Sequence, residues 1–231
     1  MGRTAIQLEL RPRTWGGKRP GAGRKPSGRK VGVPHRARPA HNGRHPAHIT
    51  LRASQALPSL RTERLFPAIR HRLAQASRNG LRVLQFSVQR DHIHLLVEAD
   101  NGARLLRGIA GLAIRVARAV NRALGRRGAV WSDRYHARAV TTPRAVRHAI
   151  VYVVMNRRKH CAREHGLDRC SSAPWFRGWR DGPVPASELC PVVRARTWLA
   201  SVGWRRHGLV GLDEHPRTEV RPGSWSPRLR R

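Results

Sequence analysis

Residues 81–88 and 93–99 are two apolar runs separated by a connection at Gln89-Arg90-Asp91. Runs of that length, rich in Val, Leu, Ile and Phe and joined so tightly, read as an antiparallel hairpin. Its neighbours extend the plan. His48-Ile49-Thr50-Leu51-Arg52 alternates as a strand should. Residues 62 to about 76 carry Leu65, Ile69, Leu73 and Ala76 at helical spacing, with Thr62 as a candidate N-cap. Pro67 lies inside that span, so the regular helix is expected to begin there. Asn79-Gly80 is turn chemistry ahead of the hairpin. After the hairpin, Leu105, Ile109, Leu112, Val116 and Val120 form one stripe of a long helix over about 103–124, stopped by Gly125 to Gly128. Residues 137–140 form a short strand candidate, and Thr142-Pro143 opens a further helix expected to run to about residue 165. The order β-α-β-β-α-β followed by α is the split βαβ, ferredoxin-like plan of an α+β protein: an antiparallel sheet with helices on one face, plus an additional C-terminal helix.

The flanks differ from this middle. Residues 1–46 are dominated by Gly, Pro and Arg without hydrophobic periodicity, and are expected to be a disordered or extended basic tail. Within it the run from Arg19 to Pro26, with Arg19 and Arg24 as its candidate DNA contacts, is similar to AT-hook arms that enter a minor groove. Residues 166–231 hold Trp175, Trp179, Trp198, Trp204 and Trp225 and one short helix candidate near 191–202; a partly ordered appendage is expected. The domain reading is therefore 1–46, 47–165 and 166–231. Lys plus Arg number 47 against 13 Asp plus Glu, a net charge of +34. Such an excess calls for a polyanion, and a nucleic acid gains binding free energy by releasing counterions from its phosphates. No apolar run approaches the roughly 20 residues of a spanning helix. Cys161, Cys170 and Cys190 are an odd number without C-x-x-C spacing, which argues against a disulfide framework or a thiolate zinc site. The expectation is a cytoplasmic, nucleoid-associated protein.

Two places carry chemistry. In Asp91-His92-Ile93-His94, strand alternation puts both imidazoles on one face, where a pair can chelate one divalent ion. In the last helix Tyr152 and Asn156 are four apart, hence neighbours on one helical face, and a basic run follows at once. That setting suits a phenol presented to a phosphate, with the amide reaching a metal or the DNA. Only one other tyrosine exists, Tyr135, the alternative nucleophile.

The residues 88–97, VQRDHIHLLV, the Arg-bearing long helix, Trp131-Ser132-Asp133-Arg134-Tyr135 and Tyr152-x-x-x-Asn156 together resemble the HUH single-strand transposases with one catalytic tyrosine, closest to the REP-associated branch. The resemblance covers about residues 46–165. It implies a ferredoxin-like palm that binds Mg²⁺ or Mn²⁺ through His92, His94 and Asn156, and Tyr152 as nucleophile. It also implies single-stranded or hairpin DNA as partner, with or without a homodimer, since some relatives contribute the tyrosine helix in trans and others act alone. Two positions depart from the pattern: Asp91 where relatives often have Asn, and Arg157 where many have Pro after the Asn.

The chemistry expected is strand cleavage and rejoining through a 5′-phosphotyrosine. A phenol is a poor nucleophile at neutral pH without a nearby cation or base, and a metal at the imidazole pair would polarise the phosphate. Arg104, Arg107, Arg115, Arg118, Arg134 and Arg138 are candidates for backbone contacts, against the alternative of a solvated surface. Trp131 and Tyr135 are candidates for base stacking, against the alternative that Trp131 is core. The competing reading is a non-catalytic basic DNA- or RNA-binding protein on the same fold.

Overall fold

The computed structural model describes residues 40–160, 166–182, 186 and 189–216. Four strands, β1 (Ala47–Arg52), β2 (Leu81–Val88), β3 (His92–Ala99) and β4 (His136–Ala139), form one antiparallel sheet in the order β2-β3-β1-β4. Helix α1 (Phe66–Ala74) connects β1 to β2, and α2 (Gly102–Leu124) connects β3 to β4. This is the expected ferredoxin-like arrangement. No helix among the described residues is long and apolar enough to cross a membrane.

Each helix starts and stops for a local reason. α1 begins at Phe66 with Pro67 in its first turn, where the missing N–H costs no helical hydrogen bond. The expected Thr62 cap is not made; the Thr62 carbonyl instead accepts from the amides of Leu65 and Phe66, a turn leading into the helix. α2 is capped by the Asn101 side chain accepting from the Arg104 amide, and ended by Gly125 in the left-handed region at φ 64°. Its predicted stripe is buried throughout. Each such side chain contributes about 1.5–3 kcal/mol on leaving water.

The third helix departs from expectation. α3 (Pro143–Val154) is capped by Thr142 accepting from the Ala145 amide, but it does not run on to residue 165. It closes at Met155, and a separate short helix, α4, spans Asn156–His160. Val151, Val153 and Val154 are β-branched and lose rotamer freedom in a helix. They and Met155 are held instead by burial in the core. Tyr152 and Asn156 therefore sit on successive helices.

Strand alternation divides the interior in two. Ile49, Leu51, Ile93, Leu95 and Val97 pack with α1 and α2 on one face. On the other, Leu84 and Leu96 pack with α3 and with the segment beyond residue 166. Leu84 reaches that face at a bulge between Val83 and Gln85 in the β2–β3 register. The sheet thus has helices on both faces.

The segment from Gly166 onward is built into this second core. Ala173, Phe176, Trp179, Leu199, Ala200, Trp204 and Val210 are all buried in it, with α5 at Trp198–Ser201 and 3-10 turns at Ala173–Trp175 and Gly203–His207. Its backbone also serves the outer edge of β2: the Val88 amide donates to the Cys170 carbonyl, the Ser172 amide to Phe86, and the Val193 amide to Val83. Glu98, 3% exposed, is the polar anchor. Its carboxylate accepts from the amides of Arg196 and Thr197, from the Thr197 hydroxyl and from the Arg82 guanidinium. A buried carboxylate is tolerated when so many donors face it. Trp204→Ala is expected to cost about 3–5 kcal/mol, the range for emptying a large core site; chemical denaturation reads this directly, and a loss under about 1 kcal/mol would mean the segment is only loosely attached.

Candidate active site

The sheet face toward α3 is where the polar residues gather. Directly opposed residues in an antiparallel pair point to the same side. On β3, His92 and His94 share that side with Leu96 and Glu98; on β1, Thr50 lies opposite His94 and His48 opposite Leu96. On β4, His136 lies opposite Thr50 and Arg138 opposite His48. Ser87 on β2 lies opposite His94 and is itself held by the Gln89 amide group at 2.7 Å.

The two imidazoles of the His-Ile-His triplet meet, with ring centroids 4.6 Å apart. Each has its Nδ1 engaged. The Asp91 carboxylate lies 2.7 Å from Nδ1 of His92, and the Thr50 hydroxyl 3.1 Å from Nδ1 of His94. A carboxylate can only accept, so His92 carries a proton on Nδ1, which leaves Nε2 to face a metal, the arrangement by which outer partners orient metal-binding histidines. Burial works to raise the Asp91 carboxyl, but the His92 hydrogen bond and the charges of His92 and Arg52 outweigh it, and Asp91 lies below its ordinary value.

Tyr152 comes to the same place from α3. Its ring lies edge-on to His94 at 5.0 Å and to His48 at 5.5 Å, and the Lys159 ammonium sits 5.3 Å from its centroid. The tyrosine meets histidines of its own chain, so this ring cluster forms within one copy. Asn156, across the helix break, is fully buried, and neither heteroatom of its carboxamide has a hydrogen-bond partner among the described residues. An unsatisfied buried amide costs about 1–3 kcal/mol, and in a native site it calls for a ligand or water. Among the described residues no three His, Cys, Asp or Glu side chains gather as a metal site. A third protein ligand beside the histidine pair would have to be of another kind, and a carboxamide oxygen qualifies. Two imidazoles and a carboxamide oxygen are donor types that suit a divalent ion.

His48 was not singled out by sequence reasoning, yet it stacks on His94 at 5.2 Å and pairs across to Arg138 of β4. Its Nε2 is enclosed without a hydrogen-bond partner among the described residues. Burial, with His136 and Arg138 adding repulsion, lowers it to about 4 from 6.5, so it is neutral at pH 7. The available signal was its place in the alternation of β1 next to the hairpin.

The other expected site residues fall in several places. Tyr135 is buried in the α1/α2 core, and Trp131 packs against that core, its indole N–H donating to the Ala113 carbonyl. Arg104, Arg107 and Arg118 are exposed on α2, which covers the sheet face opposite the histidines. Arg115, on the same helix, is partly buried; desolvation and the neighbouring Arg78 and Arg72 lower its pKa. Arg138 is exposed on β4 beside His48, and Arg134 is partly buried just before that strand. Arg19 and Arg24 lie outside the described residues.

Residues 47–165 match the family model described as "Transposase IS200 like". The chain belongs to this family: it is a single-tyrosine transposase of the HUH class, an enzyme that cuts DNA. Transposases of the class generally depend on a divalent metal. One similar solved structure is a REP-associated tyrosine transposase bound to a REP hairpin, 18% identical, aligned over 56% of this chain and 75% of its own, with a TM-score of 0.46. No curated protein matches the chain significantly.

His48 sets an acid limit on stability. Its folded value lies below its unfolded one, so its contribution is complete above about pH 6.5 and is lost as pH falls towards about 4. That interval amounts to about 3 kcal/mol at roughly 1.4 kcal/mol for each pH step. Urea denaturation of metal-free protein at pH 7 and pH 4 should show this loss in the wild type and not in His48→Leu; equal losses in both would place the acid sensitivity elsewhere.

Proposed function

We propose that the protein cleaves and rejoins single DNA strands, with Tyr152 as nucleophile and His92, His94 and Asn156 holding Mg²⁺ or Mn²⁺. The observation that carries this reading is the meeting of the Tyr152 ring with His94, itself 4.6 Å from His92. A nucleophile on one element and a chelating pair on another converge on one spot between sheet and helix.

The bound ion would supply electrophilic polarisation of the scissile phosphate. Asp91 and Thr50 fix the ring orientations of His92 and His94. α3 positions the phenol, and Lys159 over its ring favours negative charge developing on the oxygen. His48, neutral at pH 7, adds no charge next to the histidine pair. In the step itself the Tyr152 oxygen bonds to phosphorus as the bond to the 3′-oxygen breaks. The phenol gives up its proton and the departing oxygen takes one, leaving a 5′-phosphotyrosine and a free 3′-OH. The bond energy is kept, so a second 3′-OH can reverse the step without ATP. Single-stranded or hairpin DNA would be the substrate form. Arg138, on the site's own face, is the best placed of the expected arginines to contact it.

The test is incubation of a labelled single-stranded hairpin from the gene's flanks with wild type and Tyr152→Phe in Mn²⁺ or EDTA. A protein–DNA adduct that survives SDS is expected only with wild type and metal. Binding without an adduct would support the alternative, a non-catalytic DNA-binding protein on this fold. Asp91→Ala is expected to weaken Mn²⁺ binding about 10–100-fold by calorimetry, the usual cost of losing an outer carboxylate; unchanged affinity would remove His92 from the ligand set.

A further inference from the structure

Of the described tryptophans after Gly166, Trp175, Trp179 and Trp204 are buried, and the last two belong to the core beneath α3. Trp198 differs. It opens α5 and is 48% exposed, although an indole is among the side chains with most to gain from burial. Nor is it loose. Its six-membered ring rests on Gly203, where an added Cβ would come within 2.7 Å of Cζ3. Val202 lies one turn on, its amide donating to the Trp198 carbonyl, and is 52% exposed. Trp198 and Val202 thus make a held apolar shelf that faces water.

The shelf is ringed by positive charge. The Arg206 guanidinium lies over the Trp198 ring, 5.0 Å from its centroid, and Arg205 over the neighbouring Trp204 at 4.8 Å. Arg194 and Arg196 are exposed just before the indole. Residues 194–207, RARTWLASVGWRRH, hold four arginines and no acidic residue. The carboxylate that fastens this stretch, Glu98, is buried and takes up the amides of Arg196 and Thr197. A guanidinium set over a ring keeps its in-plane N–H donors for an oxyanion. A duplex would satisfy the arginines with its phosphates, but its bases are stacked inward and leave the indole unmatched. An unpaired nucleotide satisfies both, with its base on the ring and its phosphate on the guanidinium.

We propose that Trp198 and Val202 form a platform on which one unpaired base of the DNA stacks, with Arg206 contacting the adjoining phosphate. The inference rests on the single-stranded or hairpin substrate of the reading above and adds a second point of attachment for it. The Thr197 hydroxyl, next to the indole, donates to Glu98, on the histidine face of β3. Glu98 stands six residues along that strand from His92, about 20 Å at roughly 3.3 Å per residue. The platform therefore anchors the DNA away from the scissile phosphate and takes no part in the chemistry.

The experiment measures equilibrium binding without metal in the cleavage-dead Tyr152→Phe background, so its result does not depend on an adduct forming. The probe is the flanking hairpin oligonucleotide with unpaired arms, each unpaired base in turn removed to leave an abasic site with its phosphates intact. With Trp198 present, removal of one base should cost about tenfold in affinity, within the range for stacking on an aromatic side chain. With Trp198→Ala the parent oligonucleotide should bind about tenfold more weakly, and removal of that same base should cost nothing more. Trp198→Phe should recover part of the loss, and thermal melting checks that the variants are folded. Trp198→Ala should leave the salt dependence of binding unchanged, whereas Arg206→Gln should lower its slope by about 0.7, one phosphate contact on a single strand. Unchanged binding by Trp198→Ala, or the absence of any base whose removal is coupled to Trp198, would overturn the proposal. So would a loss of binding to phosphatidylglycerol vesicles in Trp198→Ala with DNA affinity intact, which would make the shelf a membrane contact. If the coupling appears but wild type forms no adduct, the platform stands and the cleavage reading fails; an adduct without the coupling would overturn the platform alone.

Discussion

Everything in the candidate site depends on how β1 pairs with β3. The register that sets Thr50 against His94 also sets His48 against Leu96, and so decides which side chains share the face beneath α3. A slip of one residue would turn the histidine pair toward α1 and α2 and bring Ile93 and Leu95 out in its place. The apolar alternation guards against that. Ile49, Leu51, Ile93, Leu95 and Val97 are each buried on the far face, and exposing them would cost about 1.5–3 kcal/mol apiece. The polar site is thus positioned by hydrophobic residues that never touch it.

The second layer is less uniform, and polar anchors do more there. α3 covers one part of that face and the segment after Gly166 covers the rest. Glu98 fastens that segment through Arg196 and Thr197, Asp168 through Arg61, and Glu214 through Arg147 at 2.5 and 3.0 Å. In a chain with 47 basic and 13 acidic residues, acids are scarce. Several of them are spent on these ties, and Asp91 on holding a histidine.

The parts legible in the sequence were those with a local period. The hairpin strands and α2 are found within a residue of the expected limits, because alternation and the 3.6-residue stripe record burial directly. The start of α3 at Thr142-Pro143 obeys side-chain chemistry close at hand. His92, His94 and Tyr152 were legible as a set through their motif, and the structure brings those three together. Reasoning failed where distant contacts decide. The end of α3 at Met155 depends on a core formed with residues far along the chain. The Trp-rich segment has no period, because 3-10 turns around Trp175 and Trp204 are too short to show one. His48 looked like any strand residue until β3 and α3 were laid beside it.

The backbone contacts of Cys170, Ser172 and Val193 along β2 have a consequence for crowding. An uncovered sheet edge invites a strand from another molecule, and the risk rises when copies are concentrated on one polymer. Here one edge is met by the amides and carbonyls of the chain's own C-terminal portion. The other is β4, four residues long and carrying His136 and Arg138. A strand so short and so charged is a poor template. Many copies can therefore line up along one stretch of DNA, drawn there by their charge, without knitting into a common sheet.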